Sequence, residues 1–126
     1  LRKQREAFAP GSHSLQDISA MYSAQSGCCY FCDENLGSIG QPQAYQVDHL
    51  QPLAKGGANG PWNLALTCVS CNRRKRDKPQ AAFWEIIQRE RGKEWTRSKQ
   101  VRNERSKALR AKLAAAFRKQ AKHSCL

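Results

Sequence analysis

Apolar positions along this chain change their spacing several times, and each change marks an element. Leu15, Ile18, Met21 and Tyr22 recur at intervals of three and four. They predict a helix from Ser14, its cap, to about Gln25, with these four residues on one packing face and Gly27 ending it. Residues 43–49 alternate weakly and predict a strand, with Tyr45 and Val47 facing inward and Asp48 and His49 at its end. Residues 63–68 read as a second strand antiparallel to the first. The connection between the strands, rich in glycine and proline, makes an unusually long hairpin loop. A helix follows from near Ser70 to Asp77, which reads as a helix cap beside Pro79. Pro79 breaks the pattern because it has no N–H to donate. A further helix starts there, offers Phe83, Trp84, Ile86 and Ile87 for packing, and stops near Gly92. From Thr96 to about Lys122, Val101, Leu109, Leu113 and Phe117 fall at multiples of four, which predicts one long helix with a narrow apolar stripe.

Charge alters the reading of that last segment. The 126 residues carry a formal net charge of +12. Residues 1–84 hold nine Lys/Arg against six Asp/Glu, a net of +3; residues 85–126 hold thirteen against four, a net of +9. A single-sign surplus this dense points to a polyanionic partner, most commonly nucleic acid, more than to a solvated face. The segment reads as an arm along a phosphate backbone, as a dimerisation or docking helix, or as a linker. Nothing in the sequence is apolar for long enough to span a membrane, and no signal peptide is evident, so an intracellular, cytoplasmic or nucleoid, protein is expected. The first residue is Leu1, as expected of a trimmed or processed fragment.

The cysteines bring in chemistry. Cys29-x-x-Cys32 and Cys68-x-x-Cys71 are two matched knuckles, which together suit one tetrahedral zinc and favour metal over cystine. With 40% hydrophobic residues the core is small, and the zinc would staple it. Cys28 and Cys125 are left over. Asp48, His49 and Asn72 are oxygen and imidazole groups that a thiolate site does not use. In a ββα unit Asp48, at a strand end, and Asn72, in the first turn of the zinc-anchored helix, converge as ligands for a hard cation. His49 alternates to the other side of the strand, where an imidazole can deprotonate water.

Val47-Asp48-His49, Pro52, Gly56-Gly57, Asn63-Leu64 and Cys71-Asn72-x-x-Lys75, taken in order, resemble the HNH endonuclease family over residues 27–79. The likeness is to its zinc-stapled form with asparagine in the third signature position, which includes phage junction-resolving endonucleases and the HNH domain of RNA-guided CRISPR nucleases. The resemblance implies an α+β fold, a ββα-metal (HNH, or His-Me finger) module. It implies that Asp48 and Asn72 hold Mg²⁺ or Mn²⁺, that His49 is the general base, and that Asn63 bonds across the loop to orient His49. It implies phosphate contacts by Lys75 with Arg73 and Arg76. The reaction would be hydrolysis of DNA, duplex or branched, in a phage or bacterial setting. Most of the family has histidine where this chain has Asn72, a change that shifts metal preference toward Mg²⁺.

The expected layout is an N-terminal arm and helix over residues 1–26, the nuclease core over 27–79, and a basic helical extension over 80–126. Lys78, Arg97 and Lys99 join the expected nucleic-acid contacts, with Trp95 beside them. His13 and His123 read as surface residues. The extension would carry any homodimer or larger complex. The alternative function is a non-catalytic zinc module that binds nucleic acid or a protein, or the cutting arm of a larger defence, recombination or packaging complex.

Overall fold

The computed structural model describes residues 10–38 and 45–124. The expected basic arm before Pro10, the first residues of the expected strand and Cys125 lie outside the described residues, as does the side chain of His123. The fold is α+β, with five α-helices and a two-stranded sheet among the described residues.

Ser14 caps the first helix, α1 (Leu15–Ala24). Its hydroxyl accepts from the Asp17 amide while the Asp17 carboxylate accepts from the Ser14 amide, a closed capping box. Ile18 and Met21 are buried, but Leu15 is 82% exposed, so it is not on the packing face as expected. At the other end Gln25 is buried and ties α1 to the sheet. Its Nε2 donates to Cys28 and Leu66 carbonyls, and its Oε1 accepts from the Leu66 amide at 2.8 Å.

Strands β1 (Gln46–His49) and β2 (Leu64–Thr67) pair antiparallel, with Asp48 opposite Ala65 and His49 opposite Leu64. The Tyr30 amide donates to the Leu66 carbonyl, which joins the first knuckle to the free edge of β2. Helix α2 (Val69–Lys75) follows β2 directly and packs on β1, giving the ββα order. It closes at Arg76, whose φ of 53° is unusual for a residue with a side chain.

Helix α3 (Gln80–Arg91) starts from Pro79, with no side-chain cap, so Asp77 is not the cap it was expected to be. Phe83 and Trp84 pack edge-on against Phe31 and Tyr30 of the first knuckle, with ring centroids 4.9–5.7 Å apart. These rings, with Ile18, Met21, Leu50, Leu66 and Ile87, form the core.

The C-terminal segment is two helices rather than one, α4 (Lys93–Arg102) and α5 (Glu104–Ser124), separated at Asn103. The Asn103 side chain donates to the Tyr30 carbonyl at 2.9 Å, which fixes the break over the core. The break changes the helical phase. Val101 is consequently 57% exposed and no part of an apolar stripe, while Asn103, Ser106 and Arg110 are buried. Leu109, Leu113 and Phe117 are half-buried, and Phe117 stacks on Trp62 at 4.3 Å. Helix α5 thus returns to pack on α1 and on the hairpin loop. No described helix is long and apolar enough to cross a membrane.

Candidate functional site

Two sites lie at opposite ends of the hairpin strands. At the first, the Sγ atoms of Cys29, Cys32, Cys68 and Cys71 all lie within 4.8 Å of one another, and none forms a disulfide. Cys32 and Cys68 sulfurs are 3.6 Å apart, close to the roughly 3.8 Å edge of a zinc-thiolate tetrahedron with 2.3 Å bonds. The Cys68 amide donates to Cys29 Sγ and the Cys71 amide to Cys68 Sγ. Such amides stabilise thiolates, so the donor set fits a structural zinc. Hydrogen bonds from the Cys32 and Cys71 thiols hold Cys29 down at about 2, while the same crowding pushes Cys32 up to about 12 and Cys71 up further. Cys29 therefore carries charge readily, whereas Cys32 and Cys71 require a cation to do so. Cys28 stands apart, its thiol donating to the Ser26 carbonyl.

At the second site, Asp48, His49 and Asn72 line one cavity of about 220 Å³, together with Pro52, Leu53, Arg76 and Asp77. Asp48 and His49 come from β1, Asn72 from the first turn of α2, and Arg76 and Asp77 from the turn beyond it. Asp77, set aside in the sequence as a cap, is thus a wall of this cavity. One carboxylate and one amide oxygen form a donor set acceptable to a hard cation.

Lys75 is not the phosphate contact expected of it. It is wholly buried, with Nζ 3.2 Å from both Asp48 carboxylate oxygens and 3.0 Å from the His49 carbonyl. An ammonium in that position neutralises Asp48 and fixes the end of β1. Lys99 departs in the same way: it is buried and paired with Asp33 at 2.8 Å, where it holds α4 to the first knuckle. Lys78 is half-buried and donates to the Arg74 carbonyl. Arg73 and Arg97 are exposed, as is Arg76 on the cavity rim. Trp95 is half-buried against the core, with the Arg91 guanidinium 4.3 Å from its ring centroid.

The long loop between the strands is ordered by Asn63. Its side chain accepts from the Gln51 amide and donates to the Gln51 and Ala58 carbonyls, while its own carbonyl accepts from Leu50. Asn63 bonds across the loop to backbone, and Asn59 reaches the imidazole. Asn59 Oδ1 lies 2.8 Å from His49 Nε2. The Asn59 amide donates to the Pro10 carbonyl, and His13 Nδ1 lies 3.1 Å from the Asn59 carbonyl. His13 is thus a strap on the loop rather than an idle surface residue. Nothing in the sequence separated Asn59 from other turn asparagines, because its role depends on the fold of the loop.

Residues 29–78 match the family model described as HNH endonuclease, a span that holds both knuckles, Asp48, His49, Asn63 and Asn72. This segment is an HNH domain. No curated protein and no solved structure matches the chain. The HNH domain thus accounts for 29–78, and α3 through α5 beyond it pack on that domain through the aromatic cluster and Asn103.

Proposed function

We propose that the protein is a metal-dependent endonuclease that hydrolyses DNA phosphodiester bonds. The observation that carries this reading is the shared cavity of Asp48, His49 and Asn72 inside an HNH domain. Asp48 and Asn72 would hold Mg²⁺ or Mn²⁺, which when bound supplies positive charge to the scissile phosphate and the leaving oxygen. Lys75 lies 3.2 Å from the Asp48 carboxylate and offsets a negative charge there.

His49 takes the proton from the attacking water. Because Asn59 Oδ1 can only accept, His49 Nε2 carries the hydrogen between them, and Nδ1 is the basic nitrogen of that tautomer. Asn63 keeps the loop folded and so holds Asn59 in place. Arg76 meets the phosphate at the rim. Zinc on the four cysteines fixes the start of α2, and hence Asn72, against the strands.

Cleavage of plasmid, four-way junction and single-stranded DNA, with and without Mg²⁺ or Mn²⁺, tests the proposal. Metal-dependent cutting that His49→Ala abolishes while zinc content stays at one per chain is the expected result. No cutting of any substrate by the wild-type chain would leave a DNA- or protein-binding zinc module as the function.

A further inference from the structure

Three cations are buried among the described residues: Lys75, Lys99 and Arg110. Two face aspartates, Asp48 and Asp33. Arg110 differs. Its guanidinium donates to Tyr30 Oη at 3.2 Å and to Met21 Sδ at 3.7 Å, and lies 4.8 Å from the Tyr30 ring centroid. Among the described residues no carboxylate pairs with it. A neutral oxygen, a thioether and a ring face compensate a buried charge only in part, and burial pushes Arg110 below its ordinary value.

Arg110 is also the one of the three that borders a second cavity, of about 680 Å³, between the HNH domain and α3 to α5. The size falls within the roughly 300–1,000 Å³ typical of small-molecule sites. Its walls contain a second cation, the exposed Lys107, and no carboxylate. The other polar groups are the side-chain amides of Gln80, Gln100 and Asn103, and the aromatic surface comes from Tyr30, Trp62 and Trp84. Cations call for an anion. A guanidinium matches the paired oxygens of a phosphate, and indole and amide walls suit a flat heteroaromatic ring with hydrogen-bonding edges.

We propose that this cavity binds a nucleotide unit, its phosphate on Arg110 and Lys107 and its base against the wall of Trp62, Trp84 and the amides. The site is separate from the Asp48–His49–Asn72 cavity and does not depend on the nuclease reading.

The test is a titration of the zinc-loaded full chain, without divalent cation, followed through the indole N–H resonances of Trp62 and Trp84. The probes are deoxyadenosine monophosphate, thymidine monophosphate, inorganic phosphate and a short single-stranded oligonucleotide. Saturable shifts are expected with a nucleotide probe, at least about tenfold tighter than with phosphate, and weakened about tenfold by Lys107→Ala. Arg110→Lys should lose binding; if that variant does not fold, Lys107→Glu on the exposed rim replaces it. A response to the oligonucleotide assigns the site to a strand, and a response to the mononucleotides alone assigns it to a free nucleotide. The proposal is overturned if no probe gives a saturable shift, if phosphate matches the nucleotides, or if the Lys107 variants bind like wild type.

Discussion

His49 Nε2 and Asn59 Oδ1 are 2.8 Å apart, so a side chain from the hairpin loop holds the imidazole. On the proposed mechanism this bond sets both the tautomer and the direction of Nδ1. Asn59→Ala should lower kcat about 10- to 100-fold with KM little changed, because only the reacting geometry is lost. Asn59→Asp places a negative charge against the ring and favours imidazolium, raising the His49 pKa. The base must be neutral to act, so the acidic limb of the pH–rate profile should move to higher pH. A loop with a purely structural role would leave that profile in place, and pH–rate curves for the two variants decide between them.

Lys75 and Asp48 form a second long-range pair, 27 residues apart in sequence and almost inaccessible to solvent. Removing the cation takes the Lys75 donor away from a buried carboxylate and a carbonyl. Lys75→Met should therefore destabilise the fold by about 3–5 kcal/mol in denaturant melts made without added Mg²⁺. Added Mg²⁺ should restore part of the loss if Asp48 is a metal ligand, since a bound cation stabilises the state that binds it. An unchanged midpoint would remove the assigned role of Lys75.

The knuckle sulfurs are brought together by residues 29–32 and 68–71, and the aromatic rings of the core attach to the first of these turns. Losing the metal should therefore affect more than the knuckles. Cys71→Ser, or a zinc chelator, should abolish zinc binding and cooperative unfolding together, as followed by metal analysis and by near-ultraviolet circular dichroism of the Tyr30, Phe31 and Trp84 cluster. Retained near-ultraviolet signal in the zinc-free protein would mean that the hydrophobic core holds without its staple.

The two cysteine pairs, the strand ends and the glycine-rich connection were legible in the sequence because each depends on local spacing. Burial of charge was not. Lys75 and Lys99 look like surface lysines in any local window, and only the return of Asp48 and Asp33 from 27 and 66 residues away makes them interior. The C-terminal stripe failed for a related reason. Counting from Val101 assumes an unbroken helix, whereas Asn103 interrupts it to reach the Tyr30 carbonyl. The inward face of α5 then carries Ser106 and Arg110, which a hydrophobicity pattern assigns to solvent, beside the half-buried Leu109, Leu113 and Phe117. Leu15 failed at the opposite end of the chain: the Ser14 cap fixes where α1 begins, and the first residue of that turn points outward.

Gly56 and Gly57 separate two kinds of glycine requirement within this loop. A Cβ on Gly57 would stand 1.8 Å from the Gln51 carbonyl oxygen and 2.7 Å from its carbon, both backbone atoms that cannot swing aside. The same Gln51 carbonyl accepts from Asn63, so displacing it loosens the loop that carries Asn59. Gly56 has a φ of 84°, but a Cβ there meets nothing within 4 Å. Gly56→Ala should cost only the left-handed backbone term, about 1 kcal/mol. Gly57→Ala should cost severalfold more and, on the proposed mechanism, should depress cleavage even at temperatures where the protein stays folded, because Asn59 no longer aims His49. Thermal melts and cleavage rates for the two variants measure the difference. Equal melting temperatures would show that the Gln51–Gly57 contact relaxes freely, and the loop would then lose its claim to position the imidazole.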